Sequence, residues 1–457
     1  MIWLIWATPG LAAIRNVAGK ENIMTQVKMI LGIMTVGSAL NVLNMAMADE
    51  YVIREKTILR VGVPIRNSTR AEIASADDNG VHIVLYGMWH TRVFFFAKRP
   101  DGWMSASTEV PILTEAGLLS QEPQPQVYTI VNKPVSGTTD LQTIVSVFQV
   151  DLDTSEFGNP HTMITIPTDK IFSSELGKKG QQLFPLPDKT GRYLLLGECS
   201  QSKWDPLAIA GHIISGGHSC FSNWPFLAEI SESDKAIFYK WPVNYATNEV
   251  MWIRQAVPMD NKVHLVGIWY KEYMPSRYRL EYSVCDRESG KWSKPEVVYK
   301  QTRSPKYLST SPSILVDEEN VVIAWCLGDN DDLGPGIFVR SKVKNAWTKT
   351  EKVSPCFDDP LLAKDNKGNP SVFWRTPEQG IYVSSWNGNK WAAPCLLLQD
   401  DKIHTAGTAW DIKSDGQGKY HVVYCQRHPD RPLDSEEHIV YVYIEHRDST
   451  DENQNGR

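Results

Sequence analysis

Residues 313–347 read SILVDEENVVIAWCLGDNDDLGPGIFVRSKVKNAW, and this stretch decides the fold. Two short runs rich in β-branched and aromatic residues, 313–316 and 321–325, flank the polar turn DEEN. A third run, 337–342, follows a loop rich in Asp and Gly, and Trp347 opens a fourth. Runs of this length and composition, bounded by turn signals, read as strands. The central run VVIAW is short, apolar and β-rich.

The same pattern recurs. Runs 263–269, 321–325, 370–374 and 420–424 end on Trp269, Trp325, Trp374 and Tyr424, spaced 56, 49 and 50 residues apart. Each is preceded by a short strand and a polar turn, and each is followed by a third strand, at 278–284, 337–342, 381–385 and 439–444. In the first three a Trp opens a fourth strand: Trp292, Trp347 and Trp391. Four short antiparallel strands per period of about 40–50 residues define a propeller blade. Upstream, blades are read at 72–113, 124–172 and 182–241, the last holding a long insert. The reading is all-β: a β-propeller of seven blades of four antiparallel strands, with six as the alternative count. The last blade supplies only three strands before the polar tail 449–457, and 51–61 is a lone strand before the first blade. It is expected to become the outer strand of the last blade and so remove an exposed edge.

The 457 residues carry a net charge of −6, with 42% hydrophobic and 22% charged residues, an ordinary globular composition with no basic excess to suit nucleic acid. Residues 24–28 make a short basic start and 29–45 an apolar run that ends before Ala46-Met47-Ala48. This reads as a signal peptide cleaved after Ala48, with 1–23 an over-called upstream start and an uncleaved anchor as the alternative. The expected domain is 49–448, exported to the periplasm or beyond and monomeric, with no membrane span in the mature chain. Seven cysteines cannot all pair internally. Cys326 and Cys425 end apolar runs at matching positions and are expected to be buried, and a Cys199–Cys220 bridge is a candidate.

Three hairpins, SVCDRESGKW at 283–292, SKVKNAW at 341–347 and SSWNGNKW at 384–391, resemble the Asp-box repeats of sialidase-like propellers. All keep the Ser and the Trp, and none keeps the whole box. The resemblance covers about 250–446 and, less fully, 72–113, and it implies a fold rather than an activity. A sialidase would bring an Arg-Ile-Pro start, where this chain reads Val63-Pro64-Ile65-Arg66, and an Asp in the loop 87–92, which here reads GMWHTR. In blade count and repeat style the chain is also similar to seven-bladed polysaccharide lyases such as the ulvan lyases.

Function in this architecture is expected in the loops after second strands and between blades. Arg92, Arg277, Arg375, Arg427 and Arg431 fall there, beside Tyr270 and His428. A guanidinium fork takes a carboxylate or sulfate in two places, so Arg92, Arg277, Arg375 and Arg427, with His428 and Tyr270, are candidate contacts for an acidic sugar. The opposing reading pairs each Arg with a local acid. His90 and His218 are candidate general bases for abstracting a uronate proton. His82, His264 and His421 share one place at the start of second strands and read as structural. The insert 199–224 offers Cys199, His212, His218 and Cys220, a spacing that fits zinc poorly, and otherwise reads as a lid, so no cofactor is expected. The composite expectation is an exported propeller acting on an anionic glycan by lyase or glycosidase chemistry. The competing expectation is a non-catalytic propeller that binds glycan or protein.

Overall fold

In a computed structural model of the chain, residues 51–59, 69–77, 80–87, 92–110, 113–120, 124–134, 141–167, 182–185, 192–201, 222–231, 236–239, 249–271, 274–301, 312–317, 320–328, 333–356, 358–365, 367–376, 379–403, 410–414, 419–426 and 438–446 are described. All of them belong to one compact unit, Tyr51–His446. Its strands form seven separate antiparallel sheets, numbered here as blades 1–7 in chain order. Blade 1 is Thr69–Asp77, Gly80–Gly87, Arg92–Arg99 and Gly102–Glu109. Blade 2 is Leu113–Ser120, Gln126–Pro134, Leu141–Asp151 and His161–Pro167, and blade 3 is Gln182–Pro185, Arg192–Gln201, Ser222–Ser231 and Ala236–Tyr239. Blade 4 runs Glu249–Met259, Lys262–Lys271, Met274–Asp286 and Glu296–Lys300, and blade 5 runs Ser313–Asp317, Asn320–Leu327, Gly336–Val343 and Glu351–Ser354. Blade 6 is Leu361–Lys364, Pro370–Thr376, Gly380–Ser385 and Cys395–Gln399. Blade 7 is Trp410–Ser414, Lys419–Gln426 and His438–His446, completed by Tyr51–Leu59. The first strand of each blade packs on the blade before it, and that of blade 1 packs on blade 7, so the ring closes. The architecture is a β-propeller.

The apolar second strands explain the ring. In Asn320–Leu327, Val321, Ile323, Trp325 and Leu327 join a core cluster with Val266, Ile268 and Tyr282 of blade 4. Val322, Ala324 and Cys326 join another with Val372 and Trp374 of blade 6. Side chains alternate across a strand, so a strand packed on both faces must be apolar at every position. Blade 1 repeats this, with Ile83 and Leu85 set against Val423 and Cys425 of blade 7, and Val84 and Tyr86 against Val127 of blade 2. Cys326 and Cys425 are buried, as expected.

The closing strand pairs antiparallel with His438–His446, from Tyr51↔His446 to Leu59↔Ile439, with a bulge between Ile53 and Glu55. Upstream, two boundaries differ from the sequence reading. Residues 113–120 form the innermost strand of blade 2, whereas the sequence reading ends blade 1 at 113 and opens the next blade only at 124. The 199–224 insert is shorter than it reads, because Cys199–Gln201 and Ser222–Trp224 pair with each other and extend the hairpin.

The modified Asp-boxes still knit their turns. Asp286, displaced from the box position, accepts from the Ser289 amide at 2.8 Å and hydroxyl at 2.7 Å. Asn387 does the same for the amides of Asn389 and Lys390. In the hairpin of blade 5, Lys344 and Asn345 both take positive φ, 49° and 66°, as a two-residue turn of this hand requires. The box serine also holds the hairpin: Ser283 Oγ donates to Ser293 O at 3.0 Å and Ser384 Oγ to Ala392 O at 2.7 Å.

Two seams between blades use the hairpin Trp in the same way. Glu296 on the outer strand of blade 4 accepts from Lys342 Nζ at 2.6 Å and Trp347 Nε1 at 2.7 Å of blade 5. Glu55 on the outer strand of blade 7 accepts from Lys98 and from Trp103 Nε1 of blade 1. Each Trp meets a Tyr of the earlier blade edge to face, Tyr282 and Tyr441, with the Lys ammonium over that Tyr ring. Burial pushes the Glu55 carboxyl up, but donation by Lys98, Trp103 and Thr57 outweighs it and holds the group below its ordinary value.

The histidines at the head of second strands are structural. His264 Nδ1 lies 2.7 Å from Tyr282 Oη, His421 Nδ1 lies 2.8 Å from Tyr441 Oη, and His82 stacks on Phe95. Burial, with Lys262 and Lys342 nearby, lowers the His264 pKa to about 4. Unfolding restores a value near 6.5, so between about 4 and 6.5 the unfolded chain binds the extra proton. The contribution of His264 to stability is therefore present above about pH 6.5 and is lost as the pH falls toward 4. Thermal melts across this range are expected to show a steeper acid loss for the native chain than for His264→Gln.

Candidate functional site

The first strands all enter their blades from the same end, so their opening residues gather around the axis. Arg70 is the second residue of the first strand in blade 1, and Glu115 the third in blade 2. Trp410 opens the first strand of blade 7, and Asp358 and Asp359 precede that of blade 6. Arg70 and Glu115 are almost fully buried, 7% and 4% exposed, whereas Asp359 is half-buried. Burial pulls the Arg70 pKa below its ordinary value, and the negative charges of Glu115 and Asp359 oppose that shift. One guanidinium thus feels the carboxylates of two other blades, 2 and 6.

Arg375, near the end of the second strand of blade 6, makes a full fork to Asp358. Its Nε and backbone N donate to Oδ2 at 3.1 and 2.8 Å, and Nη2 donates to Oδ1 at 3.1 Å. The guanidinium carbon lies 5.0 Å from the Trp410 ring centroid. Burial raises the Asp358 pKa above its ordinary value, Arg375 pulls it down, and Asp359 adds to the rise. Cys326 Sγ, at the end of the second strand of blade 5, is 3.9 Å from Asp359 Oδ1. Farther along the rim, Asp400 accepts from Tyr424 Oη at 2.6 Å, Gln426 Nε2 at 2.5 Å and Lys56 Nζ at 2.8 Å. Burial pushes that carboxyl up, but these donors outweigh it and leave it low. On blade 4, Arg279 lies over Trp269 at 3.7 Å and pairs with Glu281 at 2.9 Å.

Two of the arginines expected to read an acidic sugar hold protein carboxylates instead. Arg92 opens the third strand of blade 1, and its Nη2 and Nε contact Glu109 Oε1 on the outermost strand at 2.8 and 3.2 Å. Arg375 is 2% exposed and committed to Asp358. Both follow the local-acid reading, because a fork that meets a carboxylate within its own blade gains two charge-assisted bonds without a ligand. Tyr270 lies opposite Tyr278 and Arg277 lies in Met274–Asp286, on the same blade as Arg279. The side chains of Tyr270 and Arg277 lie outside the described residues, as do His90, His218, Arg427 and His428. Of the zinc candidates, Cys199 opposes Trp224 on the strand, and His212, His218 and Cys220 lie outside the described residues. Among the described residues no group of three or more His, Cys, Asp or Glu is placed to hold a metal ion. No described helix is long and apolar enough to cross a membrane.

Sequence reading passed over Arg70, Glu115, Asp358, Asp359 and Trp410. Their signal was a charge at the head of a first strand, and the Asp358-Asp359-Pro360 doublet ahead of blade 6.

The fold and its axial rim define a β-propeller with an ionic cluster at one end of the axis. No protein-family model and no curated protein matches the chain. Among solved structures, a protein of unknown function from Dyadobacter fermentans is similar at 14% identity and TM-score 0.46, over 87% of this chain and all of that one. A Penicillium chrysogenum α-L-arabinanase is similar at 11% identity and TM-score 0.41, over 77% of this chain and 96% of that one. The NanB sialidase of Streptococcus pneumoniae is similar at 8% identity and TM-score 0.39, over 85% and 94%. At such values the likeness is one of fold, and activity is a question for the site.

Proposed function

We propose that this chain is a glycan-acting propeller of hydrolase type that seats a saccharide over the axial rim. The supporting observation is the buried Arg70 near the axis, whose guanidinium feels the negative charges of Glu115 and Asp359 from two other blades. Glycoside hydrolysis needs two carboxyl groups in unlike environments, one to donate a proton and one to act as base or nucleophile. Glu115 is buried and Asp359 is half-buried, and both act on the same cation. A lyase would need a free fork for the uronate carboxylate, and Arg92 and Arg375 both hold protein acids. Arg277 and Arg427 would then confer any preference for an acidic sugar. Export fits this role and rests on the apolar run 29–45 and the small residues before Asp49.

The near-complete burial of Arg70 and Glu115 favours a second reading, in which the cluster braces the first strands and the rim only binds glycan. A panel of neutral and acidic polysaccharides separates the two. Hydrolysis is expected to release reducing ends without the ultraviolet absorbance of an unsaturated uronate. Glu115→Gln and Asp359→Asn are each expected to lower turnover by about 10²–10⁴-fold while glycan binding persists. Binding with no bond cleavage by the native chain would select the second reading, and uronate absorbance would select a lyase.

A further inference from the structure

Four hairpins place a tryptophan opposite one residue of the preceding strand: Lys98↔Trp103, Lys342↔Trp347, Trp386↔Trp391 and Cys285↔Trp292. In the first two, the lysine ammonium lies between a glutamate of the previous blade and an aromatic ring, and the indole donates to that glutamate. In blade 6 the lysine is replaced by Trp386. The glutamate remains in kind. Glu351 opens the outer strand of blade 5 as Glu296 opens that of blade 4, opposite Val339 where Glu296 stands opposite Tyr282. The seam between blades 5 and 6 therefore keeps an acceptor position and loses both the internal ammonium and the tyrosine.

Trp386 and Trp391 meet edge to face, with centroids 5.7 Å apart and planes at 61°. Both are half-buried beside the polar turn Asn387-Gly388-Asn389-Lys390. Among the described residues, neither indole nitrogen and no oxygen of Glu351 has a hydrogen-bond partner, and neither nitrogen is a buried one, so both face water. Trp391 also packs its inner edge on the core shared by blades 5 and 6, which fixes the pair in place.

We propose that this seam is a second saccharide site that takes a hexosamine with a free, protonated amine. The sibling seams show what the position accommodates, an ammonium held by a carboxylate against an aromatic face. The two indoles would cover the C–H face of the sugar ring, and Glu351 would accept from its ammonium. The site lies at the turn between third and fourth strands, the end of the blade away from the axial rim. It does not rest on the hydrolase reading.

Calorimetric titration of the native chain with glucosamine, N-acetylglucosamine and ethylamine tests it, and variants at Glu351 and Trp386, both at the far end of the blades from the axial rim, assign the binding to this seam. Glucosamine is expected to bind the native chain, with N-acetylglucosamine and ethylamine each at least tenfold weaker. Glu351→Gln is expected to weaken glucosamine at least tenfold. Trp386→Lys, which installs the lysine of the sibling seams, is expected to abolish binding while the melting temperature holds or rises. Equal binding of N-acetylglucosamine would overturn the ammonium assignment, and equal binding of ethylamine the sugar. Unchanged affinity in Trp386→Lys or in Glu351→Gln, or no binding of glucosamine at all, would overturn the site.

Discussion

Replacing Arg375 with leucine is expected to cost about 3–5 kcal/mol of folding stability, more than any other substitution at the rim. The Arg375 side chain is 2% exposed and that of Asp358 is 5% exposed. Loss of the guanidinium removes both of its bonds to Asp358 and leaves a buried carboxylate without its cation. It also strips the face of Trp410 of its cation. Replacing both members, Arg375→Leu with Asp358→Leu, removes the uncompensated charge and is expected to recover most of the loss. In the single variant, burial acts on Asp358 without its main opposing charge, so the carboxyl protonates on folding. The folded state then binds more protons than the unfolded one, and stability falls as pH rises through and above the ordinary carboxylate range. The deficit should be smallest in acid. Denaturant midpoints at several pH values, with unchanged slope, measure this. Equal losses in the single and double variants would refute a role for the charge pair.

Deleting residues 51–59 is the second change with a large expected effect. It exposes the full edge of His438–His446 and takes away eight register pairs. It also removes Glu55, the acceptor for Lys98 and Trp103 at the seam between blades 7 and 1. A propeller with one blade short of a strand has an open edge and an unlocked ring. The truncated chain is expected to lose its cooperative melt and to be cleaved rapidly by protease. Glu55→Ala keeps the strand and removes only the clamp, at about 1 kcal/mol, because Glu55 and Lys98 are both partly exposed. A truncated chain that melts like the native one would show that the closing strand is dispensable.

Much of this fold was legible because the second strands announce themselves. Runs such as VVIAW at 321–325 are apolar at every position and recur at a near-constant spacing. The closing strand was legible as a lone β-rich run paired with a blade one strand short. The structural role of His264 and His421 was legible from their repeated place, although their tyrosine partners were not. The seam clamps were hidden, since Glu55 and Lys98 are 43 residues apart and Glu296 and Lys342 are 46 apart, on different blades. The axial cluster was hidden for a similar reason. Arg70, Glu115 and Asp359 lie in short polar contexts, and only ring geometry brings them together. The ion pair of Arg92 was hidden because a sequence shows the fork but not Glu109 across the hairpin from it.

The pairing of Tyr51–Leu59 with His438–His446 also sets a schedule. The earliest described strand has its partner in the latest described one, so it must wait until the rest of the propeller has been made. Until then Ile53 and Ile58, 46% and 51% exposed even in the closed ring, sit on a β-prone strand without a neighbour. Ring closure is therefore a late event in the making of the propeller. If the chain is exported, passage as an unfolded thread suits this order, since both ends arrive on the far side before the ring is locked.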